Sequence, residues 1–203
     1  MRLLRLHRGQ MFCALLFFSG LASLSGNASA QVNLVANGSF ETGSFASWTE
    51  AGNSAFNGVQ CPGAAFVPQG NCGAFFGPVG SLGGIQQTIA TVPGWQYSIS
   101  FAFSGDGGLP SQFLVAFGTQ TLLNLTNAST ATTGFQTFTF GALATGASTL
   151  LSFNFRDDPG SMELDNVAVM QAVPEPETYA LMLAGIGTLL GARRLRRLGA
   201  KPR

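Results

Sequence analysis

Residues 31–172 contain no histidine and no lysine, and Arg156 is their only basic side chain. His7, the single histidine of the chain, lies within the first ten residues. Without an imidazole this segment has no Ser-His-Asp or Cys-His nucleophile pair and no histidine-based zinc site. Without lysine it has no Ser-Lys pair. Against Arg156 stand seven acids, Glu41, Glu50, Asp106, Asp157, Asp158, Glu163 and Asp165; one minus seven leaves −6, although the whole chain sums to +1. An acidic segment without a basic patch is a poor partner for nucleic acid. There is no G-x-S-x-G, no phosphate-binding P-loop and no EF-hand loop. The glycine-rich "SGDGGLP" at 104–110 lacks P-loop spacing and reads as a turn.

Most of the positive charge sits at the two ends. Arg2, Arg5 and Arg8 precede an apolar stretch at about 11–24, and Ala28-Ser29-Ala30 supplies small residues where a signal peptidase reads. This predicts a signal peptide over 1–30, cut after Ala30. At the other end, residues 178–192 are apolar or small and Arg193, Arg194, Arg196 and Arg197 follow directly. The run is near the lower limit for a helix crossing ~30 Å of hydrocarbon. Arginines behind it hold that end in the cytoplasm. The expected organisation is therefore an outer domain at 31–172, a tail signal at 173–198 with a transmembrane helix at about 178–192, and a short cytoplasmic end at 199–203.

Between domain and helix stands Val173-Pro174-Glu175-Pro176. The prolines forbid helix and hold the chain extended, which a processing enzyme can grip. Motif, glycine-bearing helix and arginine cluster, in that order at the terminus, resemble the PEP-CTERM sorting signal of Gram-negative bacteria. The resemblance covers about the last thirty residues. It implies handling by an exosortase, an inner-membrane anchor before processing, then the cell surface or extracellular matrix, in bacteria that make exopolysaccharide.

An oxidising destination predicts a disulfide between Cys61 and Cys72, the two cysteines left after the leader. There is no C-x-x-C, so a redox pair is not expected. Within the domain the hydrophobic pattern has period two. In "WQYSISFAF", Tyr97, Ile99, Phe101 and Phe103 alternate with Gln96, Ser98 and Ser100. Phe113, Val115 and Phe117 repeat it, as do Phe138 and Phe140, then Leu151, Phe153 and Phe155 against Ser152 and Asn154. Such alternation between Gly and Pro clusters predicts short antiparallel strands in one all-β sandwich. "NLVANGSFETGSFASW" at 33–48 and "FRDDPGSMELDNVAV" at 155–169 resemble the first and last strands of galactose-binding-like jelly rolls, which include several carbohydrate-binding modules.

That resemblance implies a calcium ion between the first and last strands, held at the matching positions Glu41 and Asp165, with carbonyls near Asn37 or Ser39. Calcium favours such hard oxygen ligands. Trp48 matches a core tryptophan of the resembled modules. Trp95, after Pro93-Gly94, is the candidate glycan-stacking ring, with Tyr97 beside it. Asp157, Asp158, Glu163 and Asp165 form a local acidic cluster, and a glycosidase needs two suitably spaced carboxylates; here "DDPG" reads as a turn. The sequence thus points to a non-catalytic exported surface or matrix protein that contacts exopolysaccharide or other matrix proteins. A glycan-acting enzyme with paired carboxylates, and a purely structural or adhesive subunit, are the alternatives.

Overall fold

The structure, a computed structural model, describes residues 31–61, 67–172, 182–190 and 193. Ten strands follow one another: β1 Thr49–Gly52, β2 Asn57–Gln60, β3 Gly73–Phe76, β4 Gly83–Ala90, β5 Gln96–Gly105, β6 Ser111–Phe117, β7 Gln120–Thr126, β8 Gln136–Leu143, β9 Ser148–Asp157 and β10 Met162–Gln171. A short 3₁₀ turn at Asn127–Thr130 leads from β7 towards β8. The strands form two five-stranded antiparallel sheets, β1-β4-β9-β6-β7 and β2-β3-β10-β5-β8. The chain is an all-β antiparallel sandwich, as the period-two pattern predicts.

The core is the apolar half of that alternation. Phe101 and Phe103 of β5 face Phe113 of β6 and Phe153 and Phe155 of β9, all at or near zero exposure. Phe103 stacks on Phe113 at 4.1 Å between ring centroids, and Phe76 of β3 on Phe155 at 4.0 Å. Phe101 meets Phe153 edge-on at 5.2 Å. Each pair bridges the two sheets. A buried ring contributes through area and a further ~0.5–1.5 kcal/mol through pair geometry. Trp48 is buried against Phe40, with centroids 5.9 Å apart, and its indole N–H donates to the Asn37 carbonyl at 3.0 Å. The core role that the resemblance implies for Trp48 is the role it has.

The opening segment of the sandwich meets its last strand, β10. The Leu34 amide donates to the Val169 carbonyl at 2.9 Å and the Val167 amide to the Gly38 carbonyl at 2.8 Å. Asn33 reinforces this: its Oδ1 accepts the amides of Val35 and Val169, and its Nδ2 donates to the Val167 carbonyl. Gln87 of β4 grips both backbone groups of Ala36, at 2.8 and 3.0 Å. The opening segment therefore continues the line of β3 along the last strand. At the junction β10 carries a bulge between Asp165 and Ala168, with Asn166 at φ 52°. Bulges re-aim side chains, and this one lies where the first and last segments converge.

Residues 182–190 are helical with exposed side chains, and Arg193 is helical too. No helix among the described residues is long and apolar enough to cross a membrane. The rest of the expected span, the leader with Ala30, the Val173–Pro176 motif, Arg194, Arg196 and Arg197 lie outside the described residues.

Candidate functional site

Three places on the sandwich bear on function. The first joins Glu41 to Asp165. Glu41 follows the loop that opens the domain, and its Oε1 accepts the amides of Asn71 and Cys72 at 2.9 and 3.1 Å. Gly70 lies so close, at φ +83°, that any side chain there would collide with the Glu41 carboxylate. Cys61 and Cys72 are joined as a disulfide beside this contact, Cα to Cα 4.5 Å. Asp165 is fully buried. Its Oδ1 accepts the Asn166 amide at 2.7 Å, while Oδ2 has no partner among the described residues. Burial first, and then the nearby Glu41 carboxylate, push its pKa up to about 7, against the pull of the Asn166 and Gln69 amides. An ionised carboxylate buried this way needs a compensating positive charge. The two residues implied by the sequence are thus brought together. The Asn37 carbonyl is engaged by the Trp48 indole and the Phe40 amide.

Beside this pair lies a groove of about 500 Å³ between the opening segment and the outer face of β5 and β10, lined by Asn33, Asn37, Gln69, Ser100, Thr137 and Asn166. The amides of Asn33 and Asn37 there already hold backbone: Asn37 Nδ2 donates to the Ser44 and Ala46 carbonyls at 2.9 and 3.0 Å.

The third place is the outer face of β1-β4-β9-β6-β7. Residues paired across antiparallel strands share a face. One row runs Ala51, Gly84, Asn154, Leu114, Asn124, and the next Thr49, Gln86, Ser152, Ala116, Thr121. A third row pairs Arg156 with Gln112 and Thr126. The Gln112 Nε2 donates to Asn124 Oδ1 at 2.9 Å. Among the described residues the amides of Gln86 and Asn154 make no hydrogen bond. Arg156 turns to Asp158, with its Nη2 2.6 Å from the carboxylate; that partner holds Asp158 below its ordinary pKa. The face is a field of amides and hydroxyls with its one positive charge neutralised. Ser152 and Asn154 were visible in the sequence only as the polar half of an alternation, and nothing local marks Gln86, Gln112 or Asn124.

Other expected residues land differently. Trp95 is 46 % exposed, as a stacking ring requires. Tyr97 is 2 % exposed and its hydroxyl accepts the Val92 amide at 2.9 Å, so it is a core residue and corrects the expectation of a ligand contact. The spacing misleads because Trp95 sits in a turn, its amide donating to Val92 with Gly94 at φ +80°, whereas Tyr97 is already in β5. Of the acidic cluster, Glu163 and Asp165 share the outer face of β10 but are both buried. Burial raises the Glu163 pKa, opposed by bonds from Ser161 and Ser104. Asp157, though pushed up to about 7 by burial and by Asp106, is sealed from solvent and out of reach of a glycosidic oxygen.

Residues 172–197 match the PEP-CTERM protein-sorting motif. The motif implies processing by an exosortase and an exported, cell-surface destination. By sequence, no curated protein matches the chain. By structure, the sandwich is similar to the carbohydrate-binding module TmCBM61, solved with β-1,4-galactotriose, at TM-score 0.57 and 16 % identity, covering 70 % of this chain and 99 % of that one. It is also similar to the CBM22-1 xylan-binding domain of Paenibacillus barcinonensis Xyn10C, at TM-score 0.51 and 18 % identity over 73 % of this chain and 99 % of that one. A third neighbour is the CBM22-1–GH10 part of Clostridium thermocellum xylanase 10B, solved with xylohexaose, at 0.52 and 13 %, covering 70 % and 29 %. At these identities the likeness is one of fold, and the fold is that of carbohydrate-binding modules.

Proposed function

We propose that this chain is a non-catalytic, exported glycan-binding protein of the cell surface. Its leader is removed after Ala30 and the sandwich at 31–172 lies outside. The segment at 178–192 spans the membrane, Arg193, Arg194, Arg196 and Arg197 hold its cytoplasmic end, and the exosortase acts at Val173–Pro176. The ligand is a polysaccharide of the surrounding matrix. The observation that carries this reading is the polar field on the outer face of β1-β4-β9-β6-β7, where the Gln86 and Asn154 amides make no hydrogen bond among the described residues, with the Ser152 hydroxyl and the Gln112–Asn124 amide pair beside them. Planar amides offer a donor and an acceptor in one group, which suits the paired hydroxyls of a sugar. The groove beside the opening segment serves less well, because its Asn33 and Asn37 amides are tied to backbone. A net −6 domain whose single arginine is paired to Asp158 repels uronic acids and sulfates, so the ligand class is neutral. Two neighbours are solved with uncharged oligosaccharides, β-1,4-galactotriose and xylohexaose.

Glu41 and Asp165 are proposed to hold a structural calcium. The fit rests on the buried, unpartnered Asp165 Oδ2 and the second carboxylate beside it. The ion supplies charge compensation and joins the opening loop to β10; the chain's own amides hold Glu41 in place for it.

Affinity electrophoresis of the exported domain in gels containing galactan, xylan or the host's own polysaccharide tests the glycan reading. Retardation that is lost in Asn154→Ala and Gln86→Ala, with unchanged thermal stability, is the expected result. Retardation that survives both substitutions, or its absence with every neutral glycan including the host's, overturns it.

A further inference from the structure

A second set of oxygens meets at the end of β10 remote from Gln171. Asp157 closes β9 and is fully buried, and neither of its carboxylate oxygens has a hydrogen-bond partner among the described residues. Asp106, in the loop from β5 to β6, lies beside it. Asp106 Oδ1 accepts the Gly108 amide at 2.9 Å and Oδ2 the Ser161 amide at 3.0 Å. The two nearby backbone donors are therefore taken. Pro159 has no N–H to give, and its carbonyl oxygen faces the same point as Asp157 Oδ1. A Cβ at Gly108 would lie 2.6 Å from that carbonyl and would collide outright with the carboxylate. The arginine next in sequence is turned to Asp158. Among the described residues no N–H and no side-chain cation reaches the Asp157 carboxylate, and the one hydrogen bond open to it is a proton shared with Asp106.

We propose that Asp106 and Asp157, with the Pro159 carbonyl, form a second divalent-cation site that ties the β5–β6 loop to the β9–β10 turn. Two states relieve a buried carboxylate in such a cage, a proton or a metal ion. A proton serves one oxygen of Asp157 and leaves the other facing the Pro159 carbonyl. A hard cation takes several oxygens at once, and two carboxylates with a carbonyl are the oxygen donors that calcium selects. Among the described residues no three acidic side chains gather round one point, so carbonyls and water complete the shell. The arrangement resembles that at Asp165: a buried aspartate with at least one unpartnered carboxylate oxygen, facing a second acid from a distant segment. The site is independent of the glycan reading and of the Glu41–Asp165 ion.

The test counts ions. The full chain, purified in detergent and stripped with EDTA, is titrated with calcium by calorimetry and with terbium by luminescence. Two bound ions are expected in the native protein, one in Asp157→Asn, one in Asp106→Asn and one in Asp165→Asn. Asp106 is exposed, so its variant reports on the site even where Asp157→Asn does not fold. An unchanged ion count in Asp106→Asn or in a folded Asp157→Asn overturns the second site. A single ion in the native protein that vanishes in Asp165→Asn overturns it while leaving the Glu41–Asp165 reading intact. A single ion that persists in Asp165→Asn and vanishes in Asp106→Asn supports it and removes the other.

Discussion

Replacing Asp165 by Asn should stabilise the protein without calcium, and calcium should cancel most of that gain. Asp165 has an ordinary pKa of 3.8 and is pushed up to about 7 in the fold, by burial first and Glu41 second. A carboxyl whose folded pKa is raised binds its proton more tightly in the native state. Its cost is absent below pH 4, grows as the pH rises from 4 to 7, and is complete above 7. Three pKa units correspond to about 4 kcal/mol, at 1.36 kcal/mol each. Asn keeps an oxygen for the Asn166 amide, which Oδ1 accepts at 2.7 Å, and carries no charge. In EDTA at pH 8 the substitution should therefore raise unfolding free energy by about 2–4 kcal/mol, and at pH 4 it should be close to neutral. With calcium at a hundred times its dissociation constant, the native protein gains about 2.7 kcal/mol that the variant forgoes. The assay is urea unfolding followed by fluorescence of buried Trp48, at both pH values, in EDTA and in calcium. A variant less stable than the native protein by the same amount in EDTA and in calcium would refute the reasoning, because the side chain would then act through packing alone.

Other consequences follow from single contacts. Phe153→Ala removes a fully buried ring packed on Trp48, Phe101 and Phe113 and should cost about 3–5 kcal/mol in urea unfolding. Tyr97→Phe loses the bond from the Val92 amide and should cost about 1 kcal/mol without changing glycan retardation, whereas Trp95→Ala should leave stability within about 0.5 kcal/mol. Intact mass and fractionation from the native host should show the tail lost near Pro174–Pro176 and the domain outside the cell only when exosortase is present; a full tail in the inner membrane of both strains defeats the sorting assignment.

What the sequence reveals and what it hides divide along one physical line. Strands are local: Ile99, Phe101 and Phe103 alternate with Ser98 and Ser100 within one stretch, and their burial follows from that period alone. Glu41 and Asp165 were legible through a resemblance of both terminal segments, since no spacing relates residues so far apart. The Asp106–Asp157 cage had no such route, because its partners come from the β5–β6 loop and the end of β9, brought together only by the pairing of β5 with β10 and of β6 with β9. Tyr97 misled for the converse reason. Its period was read correctly, but the turn that frees Trp95 ends one residue before the strand begins.

The acids follow from the same topology. A domain with one arginine has no side-chain cation to place beside Asp157 or Asp165, so these buried carboxylates need either protons or ions from outside. Protons suffice only below about pH 7. Each pair links segments remote in sequence, and closing such long loops removes more entropy from the unfolded chain than closing short ones. Ions at these positions would therefore act as cross-links, like the Cys61–Cys72 bond but reversible and dependent on the medium. For an exported protein this would place the final tightening of the fold outside the cell. The amide face of β1-β4-β9-β6-β7 contains none of these acids, so ion binding would stiffen the sandwich that presents it without adding charge to the face proposed for the glycan.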